Sequence, residues 1–272
     1  MVSQEQRRRQ LAREKFLRQQ QRRTDARRKA KLRNSVIASG LAVVVIGSVA
    51  LYTSGVMKND DKANASADVT PSASAASKAP DPCEKAAAGS VKKLSWKKEP
   101  AVTIDTSADY TMKLATTCGD IGIALKTSAA PHTVNSFDFL AGKGYFDHTK
   151  CHRLTTSGIY VLQCGDPTAA GSGGPGYTLP DENLKDKTLK NNIYPAGTVA
   201  MANTGQKHTG GSQFFLVYQD SQLPPSYTPF GTISTSGMKV LKKIAAAGES
   251  TGQGDGAPNA TVVINKATVT KS

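Results

Sequence analysis

Residues 201–217, MANTGQKHTGGSQFFLV, place the tightest constraint on the fold. An apolar run closes in Ala202-Asn203, a glycine-bearing loop follows, and Gly211-Ser212-Gln213 opens a second apolar run through Phe214 and Phe215. Two strands joined by a loop account for this pattern. Strand alternation then points Phe214 into the core and Phe215 to the opposite side of the sheet. The amides of Asn203 and Gln213 lie among core-type positions, where they are costly unless something pairs with them. Such amides suggest a site for another peptide backbone.

The sequence around these strands extends the same reading. Residues 110–116 (YTMKLAT) and 121–125 (IGIAL) flank Cys118-Gly119-Asp120 and predict a β-hairpin. Pro131, then Val134, Phe137 and Leu140 at helical spacing, predict a helix over 130–140. A second helix is expected over 238–247, ended by Gly248, and a last strand over 262–269. Many short strands, two helices and frequent turns predict a mainly β protein, an antiparallel barrel or sandwich with helical caps.

Charge is distributed very unevenly. Of 35 Lys and Arg and 21 Asp and Glu, thirteen and three lie in residues 1–34, so +10 of the net +14 sits there and the remainder carries +4. The basicity therefore belongs to a tail and not to a nucleic-acid-binding fold, so no specific nucleic-acid partner is expected. Residues 35–53, SVIASGLAVVVIGSVALYT, carry no charge and have the length of a bilayer-spanning helix. Lys31 and Arg33 before them supply a positive-inside signal. An uncleaved single-pass anchor in the cell membrane is expected, with residues 1–34 as a cytoplasmic tail and the C-terminal part extracytoplasmic. A cleaved signal peptide is the competitor, disfavoured by the long basic region and the lack of a good small-x-small site. Residues 58–82, rich in Ala, Ser, Asp and Pro, should form a flexible tether with an r.m.s. reach of roughly 25–30 Å. The globular domain is expected over 83–272, as a monomer.

All four cysteines (Cys83, Cys118, Cys151, Cys164) lie beyond the apolar run, on the side that permits disulfides. Cys151 and Cys164 flank the turn at 154–159, so a cross-strand bridge is geometrically reasonable. Cys83 with Cys118 would then staple the N-terminal extension to the first hairpin. Four cysteines allow three connectivities, and the sequence alone does not choose among them. No Cys-x-x-Cys or Cys-x-x-His spacing supports a zinc site.

The stretch Cys151-His152-Arg153-Leu154 and the segment Gln163-Cys164-Gly165-Asp166 accompany the glycine-rich 171–176, Met-Ala-Asn at 201–203, Gly-Ser-Gln-Phe-Phe at 211–215 and Pro-Phe-Gly at 229–231. Together these resemble the cyclophilin family of peptidyl-prolyl cis-trans isomerases, over roughly residues 110–270. The resemblance implies the family's closed eight-stranded antiparallel barrel with a helix at each end. It implies Arg153 as the catalytic arginine and Gln163 as the glutamine that orients it. Tyr160 and Val161 match the apolar pair lining the proline pocket, with Phe215 and Leu223 as floor and wall. Ala202, Asn203 and Gln213 match positions that hold the peptide backbone, and Gly171 matches the loop glycine at the rim. Two residues more than usual separate Arg153 from Gln163. Gln222 stands where many members carry the tryptophan that contacts cyclosporin, which argues against tight binding of that drug. Tyr227 stands where a histidine is common, and its ring with a polar tip preserves the wall. His132, His148, His152 and His208 are read as structural or exposed, and Trp96 as packing the N-terminal extension.

Such an enzyme needs no cofactor or metal. An X–Pro bond crosses between cis and trans over a barrier of ~18–20 kcal/mol caused by amide resonance. The implied function is isomerisation of Xaa-Pro bonds in exported proteins, at a bacterial cell envelope, with proline-containing polypeptides as partners. A proline-peptide-binding or chaperone module with incidental turnover is the rival reading. A further rival makes the basic arm the working part, binding nucleic acid or anionic lipid.

Overall fold

The structure, a computed structural model, describes residues 80–271. The basic tail, the expected membrane span and the tether up to residue 79 lie outside the described residues. Among the described residues no helix is long and apolar enough to cross a membrane.

The chain forms β1 (Tyr110–Thr116), β2 (Gly119–Leu125), α1 (Pro131–Gly142), β3 (Thr149–Lys150), β4 (Arg153–Thr155), β5 (Val161–Cys164), β6 (Ile193–Tyr194) and β7 (Thr198–Met201). After these come β8 (Phe214–Val217), β9 (Ser221–Gln222), β10 (Pro229–Ile233), α2 (Thr235–Ala246), β11 (Asp255–Gly256) and β12 (Val263–Lys271). The first hairpin follows from alternation. Tyr110, Met112 and Leu114 of β1 are buried while Thr111 and Lys113 are exposed, and β2 matches with Ile121, Ile123 and Leu125 inside. Pro131 opens α1, where its missing N–H costs nothing. The exposed donors of that helix end meet a distant carboxylate: Glu182 accepts from the His132 and Thr133 amides at 3.0 and 2.9 Å and from the Thr133 hydroxyl at 2.7 Å.

One antiparallel sheet runs in the order β11-β4-β5-β8-β7-β10-β2-β1-β12-β3, and β6 pairs with β9 in a second small sheet. The expected closed ring of eight strands is corrected here to a curled sheet of ten. The strand at one end, β3, and the last strand but one at the other, β4, are neighbours in the chain, separated only by Cys151 and His152. At this seam the backbone switches partners. The Cys151 N–H donates to Val262 O beside β12, and the His152 N–H donates to Gln163 O on β5, both at 3.0 Å. What the pattern treats as one strand is two short ones, and a two-residue edge strand, β11, adds to the count.

Inside the curl, Phe137, Phe146, Phe214 and Phe230 stack with Met112, Leu114, Ile121 and Ile123, all fully buried. Burying each such side chain contributes about 1.5–3 kcal/mol. A second apolar cluster lies on the other face of the same strands: Val161, Tyr194, Ala200, Phe215 and Val217. Hence β7 and β8 are buried at every position, and Phe214 and Phe215 serve different clusters, as alternation requires.

Disulfides join Cys83 to Cys118 and Cys151 to Cys164, the pairing considered from sequence. Cys151 lies in the seam and not on a strand, so its bridge ties the break to the end of β5. The extension before β1 is a strap across the sheet and α1. Asp81, at the expected end of the flexible tether, is docked: its carboxylate accepts from the Cys83 and Thr261 amides, each at 3.0 Å. Further on, the Trp96 N–H donates to Pro175 O at 2.8 Å, and the indole sits edge-on to Phe139 with centroids 5.0 Å apart. Gly176 has φ of 90°, and a Cβ there would press on the Trp96 carbonyl oxygen at 2.6 Å.

Candidate active site

The second apolar cluster opens to solvent as a cavity of about 170 Å³, lined by Arg153, Ile159, Val161, Gln163, Ala202, Asn203, Phe215, Leu223 and Tyr227. Each strand contributes through its outward residues. Val161 and Gln163 alternate on β5, and Phe215 stands opposite Gln163 on β8. Phe215, 5% exposed, packs edge-on to Tyr227 with centroids 5.4 Å apart, forming an aromatic floor and wall. Tyr227 is fixed by its backbone, since its amide donates to the Tyr194 hydroxyl, which in turn donates to Tyr227 O at 2.8 Å. Burial pushes the Tyr194 hydroxyl up to about 12, so it stays a neutral donor.

Arg153 and Gln163 face each other across the β4–β5 ladder. The Arg153 Nη1 donates to Gln163 Oε1 at 3.2 Å. Gln163 Nε2 donates to Gln213 Oε1 at 2.9 Å, and Gln213 Nε2 donates to Gly173 O at 2.9 Å. On its other side the guanidinium grips a carboxylate with both arms: Nε and Nη2 donate to Asp255 Oδ1 and Oδ2, each at 2.7 Å. Hydrogen bonding to Asp255 raises the Arg153 pKa and holds the Asp255 carboxyl below its ordinary range. Among the described residues these contacts use three of the five guanidinium N–H groups and leave two.

A wider cavity of about 470 Å³ adjoins the first and shares Gln163, Ala202 and Asn203 with it. Its rim is the loop from Gly171 to Thr178, with Gln213 on the opposite side. Asp166, fully buried, builds that rim by accepting from the Gly171, Gly173 and Thr168 amides and the Thr168 hydroxyl. Burial alone would raise the Asp166 carboxyl, but these hydrogen bonds outweigh it and hold the pKa down. Asn203 spends its side chain locally, donating to Ser226 O and accepting from the Gly205 amide. Its backbone N–H and C=O make no hydrogen bond among the described residues, so they are open to an extended peptide.

Every site residue expected from sequence, Tyr160 apart, lines one of the two cavities. Tyr160 turns away and packs on Tyr218, centroids 5.9 Å apart, beside the main core. Ile159 takes its place, because residues 159, 161 and 163 share one face and 160 lies on the other. That period-two signal was available in the sequence. The Gln213 amide, expected to hold peptide, is instead committed to Gln163 and Gly173. Sequence reasoning missed Asp255, which lies 102 positions from Arg153 in a glycine-rich stretch with no apolar pattern. Among the described residues no group of three or more His, Cys, Asp or Glu is placed to hold a metal ion.

Comparison with known proteins agrees with this geometry. A family model described as cyclophilin type peptidyl-prolyl cis-trans isomerase/CLD matches residues 111–269. A probable peptidyl-prolyl cis-trans isomerase B of Mycobacterium leprae is 51% identical over 165 residues, covering 58% of this chain and 56% of that protein. Its Mycobacterium tuberculosis counterpart is 49% identical, with 53% of its length covered. The chain thus spans little more than half the length of these relatives. A shorter relative, peptidyl-prolyl cis-trans isomerase B of Bacillus subtilis, is 38% identical over 46% of this chain and 82% of its own. The crystal structure of a Cryptosporidium parvum cyclophilin type isomerase matches 60% of this chain and 99% of its own, at 26% identity and a TM-score of 0.50. A curled sheet with two helices, an arginine–glutamine pair beside an aromatic-floored pocket, and a family match over more than half its length make this chain a member of the cyclophilin-type peptidyl-prolyl cis-trans isomerase family.

Proposed function

We propose that this protein is a peptidyl-prolyl cis-trans isomerase in which Arg153 stabilises the twisted amide. The observation that carries the reading is a guanidinium with two uncommitted N–H groups at the edge of a small pocket floored by Phe215. The pocket suits a proline ring in size, and Val161, Phe215 and Leu223 give the ring an apolar side next to Arg153 and Gln163. An extended peptide running from it would meet the open backbone groups of Asn203 and enter the wider cavity. When the X–Pro amide twists, resonance is lost and the prolyl nitrogen regains its lone pair. A donor aimed there binds the twisted form better than either planar form, which is what lowers a barrier. Arginine suits the task because it is charged at every working pH and rigidly planar. No proton is transferred and no covalent intermediate forms.

The proposal extends to the setting. An uncharged run at 35–53 behind a basic flank supports a membrane-anchored protein acting on exported polypeptides outside the cytoplasm. Two disulfides in the domain fit an oxidising compartment.

The test is turnover of a Xaa-Pro peptide, followed by protease-coupled cleavage, using the full chain. Arg153→Ala should cost on the order of 2.7–4 kcal/mol in the transition state, roughly 10²–10³ in rate, by analogy with deletion of an oxyanion-hole donor. Peptide affinity should change far less. Arg153→Lys should recover little, because a point charge on a flexible stem does not reproduce the fork. Phe215→Ala should damage binding and turnover together. If Arg153→Ala, folded by circular dichroism, turns over within a few-fold of the parent, the mechanism is wrong and a proline-peptide-binding module becomes the better description.

A further inference from the structure

We infer that Asp255 is a positioning residue for the proposed reaction: it aims the Arg153 guanidinium at the proline pocket by gripping the side of the fork that faces away from Gln163. The inference rests on the isomerase reading above.

Asp255 is held where it can do this. Its backbone stands opposite Thr155 in the β4–β11 ladder, so Arg153, two residues along β4, is its diagonal neighbour on the same face. The loop leading into β11 is shaped by Glu249, a buried carboxylate that accepts from the Thr251 amide and hydroxyl at 2.6 and 2.7 Å and from the Gly254 amide at 2.8 Å. The Thr156 N–H donates to Gly254 O at 2.9 Å and fixes the loop to the end of β4. Asp255 therefore presents its carboxylate from a braced turn.

The donor count shows what the grip does. An arginine side chain has several rotatable bonds, and a single contact to Gln163 at 3.2 Å would leave the plane of the guanidinium free to swing. Two parallel bonds to one carboxylate fix that plane. They also consume Nε–H and one Nη2–H, so the N–H groups left over belong to Nη1 and Nη2. Asp255 and Gln163 together thus select which donors meet a substrate. The rival effect is electrostatic, since a carboxylate also weakens the positive field that a substrate feels. The two side chains are 38% and 55% exposed, so solvent screens that charge, and geometry decides. A pair this exposed contributes little to folding stability, so its removal should leave the fold intact.

The experiment is a double-mutant cycle in the full-length protein: parent, Asp255→Asn, Arg153→Ala, and both together, with kcat and KM measured on one Xaa-Pro peptide. Asp255→Asn keeps the shape but cannot accept two bonds from the fork. It should lower kcat by up to about 10²-fold, the cost of misplacing a reacting group by about 1 Å, with KM within about twofold. In the Arg153→Ala background the same change should cost nothing further, because there is no guanidinium left to aim. Two results would overturn the inference: parent-like kcat for Asp255→Asn beside a crippled Arg153→Ala, or an equal loss in both backgrounds, which marks a structural role. Should the asparagine variant not fold by circular dichroism, Asp255→Ser carries the same expectation and the same overturning results. An Arg153→Ala protein as active as the parent would instead bring down the isomerase reading itself, and this inference with it.

Discussion

His152 occupies the seam beside Arg153 with both ring nitrogens buried and without a hydrogen-bond partner among the described residues. Burial lowers its pKa, with Asp166 opposing and Arg153 assisting. The unfolded chain binds a proton at this residue near its ordinary value of about 6.5, while the folded protein resists it. The stability present above that pH should therefore drain away as pH falls through the folded value. The melting temperature of the parent should drop more between pH 7 and pH 5 than that of His152→Leu, which has nothing to titrate there. Equal slopes would show that the imidazole is solvated in solution. At the residue scale the sequence motifs converge in space, lining two adjoining cavities. Arg153, Gln163, Asn203 and Phe215 sit in short strings whose spacing carries the site. Asp255 was out of reach because its meaning comes from a ladder partner far along the chain.

Helix α2 shows what is legible in an element and what is not. The helix expected over 238–247 has its body where the sequence reading put it, but not its start. The structure begins the helix at Thr235, because Ser234 caps it by accepting from the Gly237 amide at 3.1 Å. Its own amide is anchored on Gly122 O of β2. Ser234→Ala should lower unfolding free energy by about 1 kcal/mol, read as a shift in denaturant midpoint at constant slope. No shift would mean that the first turn is held by its packing on β2 alone. Strands β3, β9 and β11 are each two residues long. No periodicity can be read from two residues; β3 and β11 form because the longer β12 and β4 offer them a free edge, while β9 pairs with the equally short β6.

For the whole molecule, the charge asymmetry makes a prediction about location that the domain fold does not. Full-length protein should stay with membranes through a high-salt wash, and protease added from outside should reach the 83–272 domain. Release of a shortened soluble form would show that 35–53 is a cleaved signal. Whatever the compartment, the pairing of β1 with β12 has a consequence for how the chain gets there. Tyr110 registers with Lys271, so a polypeptide threading out amino end first leaves the flank of its opening hairpin bare until residues 263–271 have emerged. Unpaired strand flanks are templates for aggregation, and pairings this distant form slowly. Cys83 and Cys118, by contrast, are both out early and can lock the strap to the hairpin tip before any partner strand arrives. The fold thus closes late, on a pairing of strands at opposite ends of the domain, while its first covalent clasp needs only residues 83–118.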